Sequence, residues 1–390
     1  MRLSEVLKSF VVLGLASTSL GNNTACKVPS PKTHVSYRAS GPIVLDGKLD
    51  DPAWEKVPWT DYFGNIQGPA GIAPPPVMNT RVKIMFDDEY IYVGAQIDEE
   101  VIRAKTKYCE GEKWDDNDFQ FYLDAERTNT NLKVIKMNAL GLYESLIYDK
   151  PPSNKGVGKP WDIKSKFEFK VYTNGKVNDP RWTKVKGGYW SVEWKLHKSL
   201  LSNKASTKRD VEGVPAYQNM NFLRTGYNPT SVYPLPDQTN FTSTASLFFG
   251  IPPVVNSPVM RKRHEVTSRY QFSWTPQYSN DPTNPDLWGH VEFKDTTDTS
   301  VPFVEDPNYA TRYALIQVYL AQQAYAAKNQ GKFANVYSKL NLDSEVIGKC
   351  VPVPKIKVSN DCLNFDAFIK KSKVVGTIND TREIIFKAHA

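Results

Sequence analysis

Ile43-Val44-Leu45-Asp46-Gly47-Lys48-Leu49-Asp50-Asp51-Pro52-Ala53-Trp54 combines strand, turn and anchor signals in one short stretch. Its three leading apolar residues predict a short strand. Asp46-Gly47 tolerates positive φ and predicts a tight turn, and Asp51-Pro52 sets a proline where a helix or turn begins, just before Trp54. Outward from this block, between Thr80 and Phe293, the dominant signal is period two. Val82, Ile84 and Phe86 alternate with polar residues, as do Phe119, Phe121 and Leu123. Phe167-Glu168-Phe169-Lys170-Val171 repeats the pattern before the turn Asn174-Gly175, and Tyr189 to Trp194 follows Gly187-Gly188. Asn221 to Arg224 and Trp288 to Phe293 complete a set of half-buried strands. Prolines in Ala73 to Pro76 and Tyr233 to Pro236 assign those runs to loops, because proline cannot donate to a central ladder. The expectation is a mainly β chain: two antiparallel sheets packed as a jelly-roll-like β-sandwich over 42–295.

The texture changes after Asp295. Asp306 is placed to cap a helix with Pro307 in its first turn, and the alanine-rich run Tyr309 to Lys328 carries Ile316, Tyr319, Leu320 and Gln323 at helical spacing until Gly331. Residues 296–390 therefore read as a small helical C-terminal extension. At the other end, Arg2 and Lys8 precede the apolar run Phe10 to Ala16, and Ser19-Leu20-Gly21 offers a cleavage site, so 1–21 reads as a signal peptide and 22–41 as an N-terminal segment. A secreted protein follows as the expectation. No apolar run reaches the ~20 residues that span a bilayer, so no membrane span is expected.

With 49 Lys and Arg against 42 Asp and Glu, the net charge is +7 over 390 residues. The basic residues are interspersed with acidic ones, which speaks against nucleic acid as a partner. Four cysteines fit two disulfides in an oxidising compartment. Cys350 and Cys362 are close in sequence and are paired first; Cys26 with Cys109 follows by elimination, while four cysteines permit three connectivities.

Four segments in order carry a resemblance: the opening block Ile43 to Trp54, then Arg81 to Val93, then Trp114-Asp115-Asp116-Asn117-Asp118-Phe119-Gln120-Phe121-Tyr122-Leu123-Asp124, then Trp288 to Phe293. Together they resemble the family 9 carbohydrate-binding module over Pro42 to Phe293. The resemblance implies an aromatic slot for a terminal sugar with Trp114 as one wall. The opposing wall falls near Pro282, where no tryptophan stands, and Tyr278 is the substitute from the same loop. It also implies hydrogen-bonding roles for Gln120, in a place that often holds glutamate, for Lys136, where arginine is common, and for Arg224. A sugar ring has an apolar face and a polar rim, which an aromatic platform ringed by polar groups matches. Trp190, Trp194, Trp274 and Trp288 are expected to pack, and Trp54 and Trp59 to close one end of the sandwich.

Asp115, Asp116 and Asp118 invite a structural calcium site, since hard cations take several carboxylates and the resembled family can carry calcium; a solvated turn is the plainer reading. No nucleophile elbow, zinc helix motif or phosphate loop occurs. The reading is a non-catalytic binder of a carbohydrate or glycan. Two alternatives stand beside it, a glycoside hydrolase component of polysaccharide breakdown and a protein-protein adhesion module, because sandwiches host many functions.

Overall fold

The computed structural model describes residues 28–99, 101–105, 116–179, 188–201, 210–211, 214–229 and 267–388. The signal-peptide residues 1–21, Cys26, Cys109, Trp114, Asp115 and the loop around Tyr233 to Pro236 lie outside them. In chain order the strands are β1 (Thr33–Arg38), β2 (Gly64–Asn65), β3 (Thr80–Phe86), β4 (Tyr90–Glu99), β5 (Asp118–Asp124), β6 (Leu132–Asn138), β7 (Tyr143–Tyr148), β8 (Gly158–Pro160), β9 (Phe167–Asn174) and β10 (Gly188–His197). A short hairpin, β11 (Asp210–Val211) and β12 (Val214–Pro215), precedes β13 (Tyr217–Pro229), β14 (Thr267–Ser273) and β15 (Gly289–Lys294).

Hydrogen bonds run without a break in the order β8-β7-β6-β5-β13-β15-β1-β3-β4-β10-β9, with β14 and β2 branching from β13. The expected sandwich is thus one curled sheet whose two arms face each other. The join is β1, which pairs in parallel with both β15 and β3, while the other ladders are antiparallel. Period two places Val82, Ile84 and Phe86 of β3 and Trp190, Val192 and Trp194 of β10 on one inner face. Phe119, Phe121 and Leu123 of β5 and Phe222 of β13 line the other. Their rings meet across the core, with Phe121 4.9 Å from Trp194. Trp190, Trp194, Trp274 and Trp288 are all fully buried, as packing required. Gly289 follows from this: a Cβ there would lie 2.2 Å from the Trp274 ring.

The opening block behaves differently from its expectation. Ile43 to Leu45 form no strand. The backbone amides of Asp46 and Gly47 instead donate to the Glu193 carboxylate, at 2.9 and 2.6 Å, so a side chain supplies what a ladder would have. The turn at Gly47 is real (φ 91°), and a Cβ would lie 2.6 Å from the Tyr172 nitrogen. Proline begins the short helix α1 (Pro52–Lys56), which drops Trp54 onto Met85 and Tyr92. Trp54 therefore packs on the outer face of β3 and β4 rather than closing the sandwich end, and its indole N–H also bonds Glu193, at 2.6 Å. Trp59 is partly exposed beside β3, with the Arg81 guanidinium 4.1 Å from its ring.

The C-terminal helix α2 (Tyr309–Lys328) spans the residues its periodicity predicts. Gln322, not Gln323, turns inward, where it bonds both the amide and the carbonyl of Ala334. Asp306 does not cap; one of its oxygens binds the Asn308 amide and the other pairs with Arg127. The extension is also more than helical. Strands β16 (Lys355–Val358), β17 (Phe365–Lys371), β18 (Val374–Asn379) and β19 (Ile384–Ala388) form an antiparallel meander. Leu315 and Val318 of α2 pack with Ala367, Ile369 and Ile378 in a second core. Among the described residues no helix is long and apolar enough to cross a membrane.

Cys362 is a free thiol, so the expected bond with Cys350 is not made. Cys350 is instead disulfide-bonded to another cysteine.

Candidate functional site

Alternation along β5 turns Asp118, Gln120 and Tyr122 to the outer face while Phe119, Phe121 and Leu123 enter the core. Register then builds a polar row. Gln120 lies opposite Lys136 of β6, and Lys136 opposite the exposed Glu144 of β7. On the other side Asp118 lies opposite Thr225 of β13. Below this row the same face becomes apolar, with Tyr122, Leu132, Val134 and Leu223 covered by Ile66 and Trp288.

The polar row is a closed network. The buried Asp118 carboxylate accepts from the Gln120 side-chain amide at 2.8 Å and the Thr225 backbone at 3.2 Å, and lies 3.3 Å from the Lys136 ammonium. Burial pushes its pKa up, with Lys136 the main opposing influence. Gln120 also donates to the Thr225 hydroxyl at 3.1 Å and accepts from the Tyr122 hydroxyl. Both donors and the acceptor of Gln120 are thus engaged within the protein, so it positions Asp118 rather than reaching outward. Lys136 is the member that reaches the surface, its side chain 23% exposed.

The remaining expected residues divide. Tyr278 belongs to the loop covering this same outer face: its amide donates to the Ile66 carbonyl at 3.0 Å and its ring packs against Gly68. It stays partly exposed. Arg224 points the other way, into the core beneath β13, and is fully buried. Its guanidinium meets Glu99 at 2.5 Å and donates to the carbonyls of Met78, at 2.9 Å, and Asp98, at 2.7 Å. Burial opposes its charge, but Glu99 and the neighbouring Tyr270 hold its pKa up. It is a core ion pair, and a strand contributes its neighbours Leu223 and Arg224 to opposite faces. Tyr122 and Glu144 share the face with Gln120 and Lys136; their signal was the same alternation, read across β5 and β7 together.

Trp114 and Asp115 lie outside the described residues, but both sides of their segment are defined. Lys105 donates its backbone amide to the buried Asp116 carboxylate at 2.7 Å, and Asn138 bonds the other oxygen at 3.0 Å. Lys105 and Asp116 therefore stand side by side where β5 begins, next to Asp118 and Lys136. For calcium the fit is poor. Asp116 and Asp118 face amide and ammonium donors, and among the described residues no group of three His, Cys, Asp or Glu could hold a metal ion.

Comparison with known proteins gives residues 45–211 as a match to the family described as "Carbohydrate family 9 binding domain-like". Among solved structures, a family 9 carbohydrate-binding module from Caldicellulosiruptor kristjanssonii in complex with cellotriose is 16% identical, over 70% of this chain and all of that one, with a TM-score of 0.38. The same organism's module with glucose is 16% identical over 69% of this chain and all of that one, with a TM-score of 0.37. A candidate carbohydrate-binding protein from Bacteroides uniformis is 13% identical over 68% of this chain and all of that one, with a TM-score of 0.43. Curated protein sequences give no match. The ordered motifs and the sequence match over 45–211 agree on one resemblance: this segment is similar to the family described as carbohydrate family 9 binding domain-like.

Proposed function

We propose that this is a secreted, non-catalytic protein that binds a carbohydrate at the rim where β5 begins. The observation that carries the reading is the match of residues 45–211 to the carbohydrate family 9 binding domain-like model. In it, Trp114 is the aromatic platform for a sugar ring, and Lys136, its charge anchored by Asp118, bonds a hydroxyl at the polar rim. Tyr278 is the aromatic across from it. Gln120 and Arg224 act one step back, the first by setting Asp118 and the second by holding the strand beneath. The acidic groups nearest the rim, Asp116 and Asp118, are engaged as hydrogen-bond acceptors, which supports binding over hydrolysis.

A glycan array probed with the protein and with Trp114→Ala tests this. Selective binding that Trp114→Ala abolishes, at an unchanged melting temperature, is the expected result. Equal affinity of both proteins would overturn the assignment of Trp114. Release of reducing sugar by the pure protein would overturn the non-catalytic reading.

A further inference from the structure

The outer face of the other arm is organised on a different plan. Arg81 of β3 lies opposite Gln96 of β4, Gln96 opposite Ser191 of β10, and Ser191 opposite Tyr172 of β9. One step along, Asp98 lies opposite Tyr189. Their strand neighbours Val82, Ile97, Trp190 and Val192 enter the core, so Arg81, Gln96, Asp98, Tyr172 and Tyr189 look outward, while Ser191 is buried beneath Gly47, to whose carbonyl it donates. Four strands at the usual spacing of ~4.8 Å make this strip roughly 14 Å wide.

Each end of the strip carries a pair of aromatic rings. At the β3 edge stand Trp59 and Tyr62, the latter 51% exposed, with the Arg81 guanidinium 4.1 and 5.5 Å from their ring centres. At the far end the Tyr172 and Tyr189 rings lie 6.2 Å apart and are partly exposed. The floor between is hydrogen-bonding: Gln96 donates to Asp98 at 3.0 Å and accepts from Arg81 at 3.3 Å. Cations stand over three of these rings, Arg81 over Trp59 and Tyr62 and Lys48 over Tyr172, and the partly exposed faces at both ends of an amide and guanidinium floor make a platform of sugar-binding type. Charges on the strip are matched within the protein, Arg81 acting on Asp98 and Lys48 pairing with Asp46 at 2.7 Å, which suits a ligand without net charge.

We propose that this strip is a second binding surface, for an extended, uncharged polysaccharide laid across the strands, with sugar faces on Tyr62 and Tyr189 and hydroxyls on Arg81, Gln96 and Asp98. It rests on the reading that the chain binds carbohydrate, and it is separate from the rim at Asp118 and Lys136 on the opposite arm. Affinity electrophoresis in gels containing a soluble β-glucan, xylan or mannan tests it, using the full chain, Trp114→Ala, the Tyr62→Ala/Tyr189→Ala double variant and the matching Phe double variant. The Phe pair keeps the ring faces. The expected result is polymer retardation weakened about tenfold by the Ala pair and kept by the Phe pair and by Trp114→Ala. Retardation lost with Trp114→Ala and unchanged in both Tyr variants overturns this inference alone. Retardation lost only in the Ala pair supports it and removes Trp114 from polymer binding. No retardation of the unaltered protein by any of the three polymers overturns this inference, and an accompanying blank glycan array overturns the carbohydrate reading with it.

Discussion

Apart from the Arg224–Glu99 pair, the interior of the sandwich and its junction with the C-terminal unit bury large side chains by different means. Inside, rings meet rings: Phe121 lies 4.9 Å from Trp194, and Phe222 5.5 Å from Phe121. At the junction, arginines meet carboxylates. Arg127 pairs with Asp306 at 2.6 Å, and Arg382 pairs with Asp286 and bonds Asn284 at 2.7 Å. Arg312 donates to the Arg127 carbonyl, and His290 packs edge-on against Tyr309, beside Glu305. The difference is one of tolerance. Apolar contacts have no protonation state, whereas a buried ion pair stabilises only while both partners are present and charged.

The comparison can be pressed first from the inside. Trp194→Ala should lower stability by about 3–5 kcal/mol in urea unfolding, the cost of a ring-sized cavity. A loss under about 1 kcal/mol would show that the interior is not what holds the arms together. At the junction, Arg382→Ala should cost about 3 kcal/mol by leaving Asp286 buried and unpaired, and adding Asp286→Ala should recover most of it. A double variant as weak as the single would mean the arginine contributes packing instead of charge.

The pH response sharpens the contrast. Burial, and next the nearby Arg127, lower the pKa of His290 to about 4; burial does the same to His34, which faces Trp274. Between about 4 and the ordinary value near 6.5, the unfolded chain binds more protons than the folded one. Stability therefore falls as pH drops through that window and loses nothing further from these groups below it. A decrease of about 3 kcal/mol from each histidine is expected between pH 7 and 4, and His290→Asn should remove its share while His34 retains the rest. An equally steep profile in that variant would remove His290 from the account. The smallest effect belongs to the surface: Glu168→Gln, which breaks the pair with Lys195, should shift stability by less than about 0.5 kcal/mol.

Alternation alone was enough to place Phe119, Phe121, Trp190, Val192 and Trp194 in the core, because period two has one geometric meaning in a sheet with a buried face. The 20-residue helix was equally legible from its spacing. The meander after it was not, because β16 has only four residues and β17, though as long as β5, carries the small Ala367 between Phe365 and Ile369. The site was half legible. Gln120 and Lys136 do share a face, but nothing local shows that Gln120 would be used up by Asp118, Thr225 and Tyr122, or that Arg224 would find Glu99 from a strand more than a hundred residues earlier.

What the amino-acid order determined by itself was which residues alternate, where the chain turns and which family pattern residues 45–211 follow. What only the tertiary structure decided was the use of each polar side chain. The same Glu193 that alternation turns outward becomes, once the chain folds over it, the anchor for Asp46, Gly47 and Trp54, with burial raising its pKa against the hydrogen bonds that favour its charge. The physical reason is that burial and hydrogen-bond partners come from distant strands, and those distances exist only after the sheet has curled.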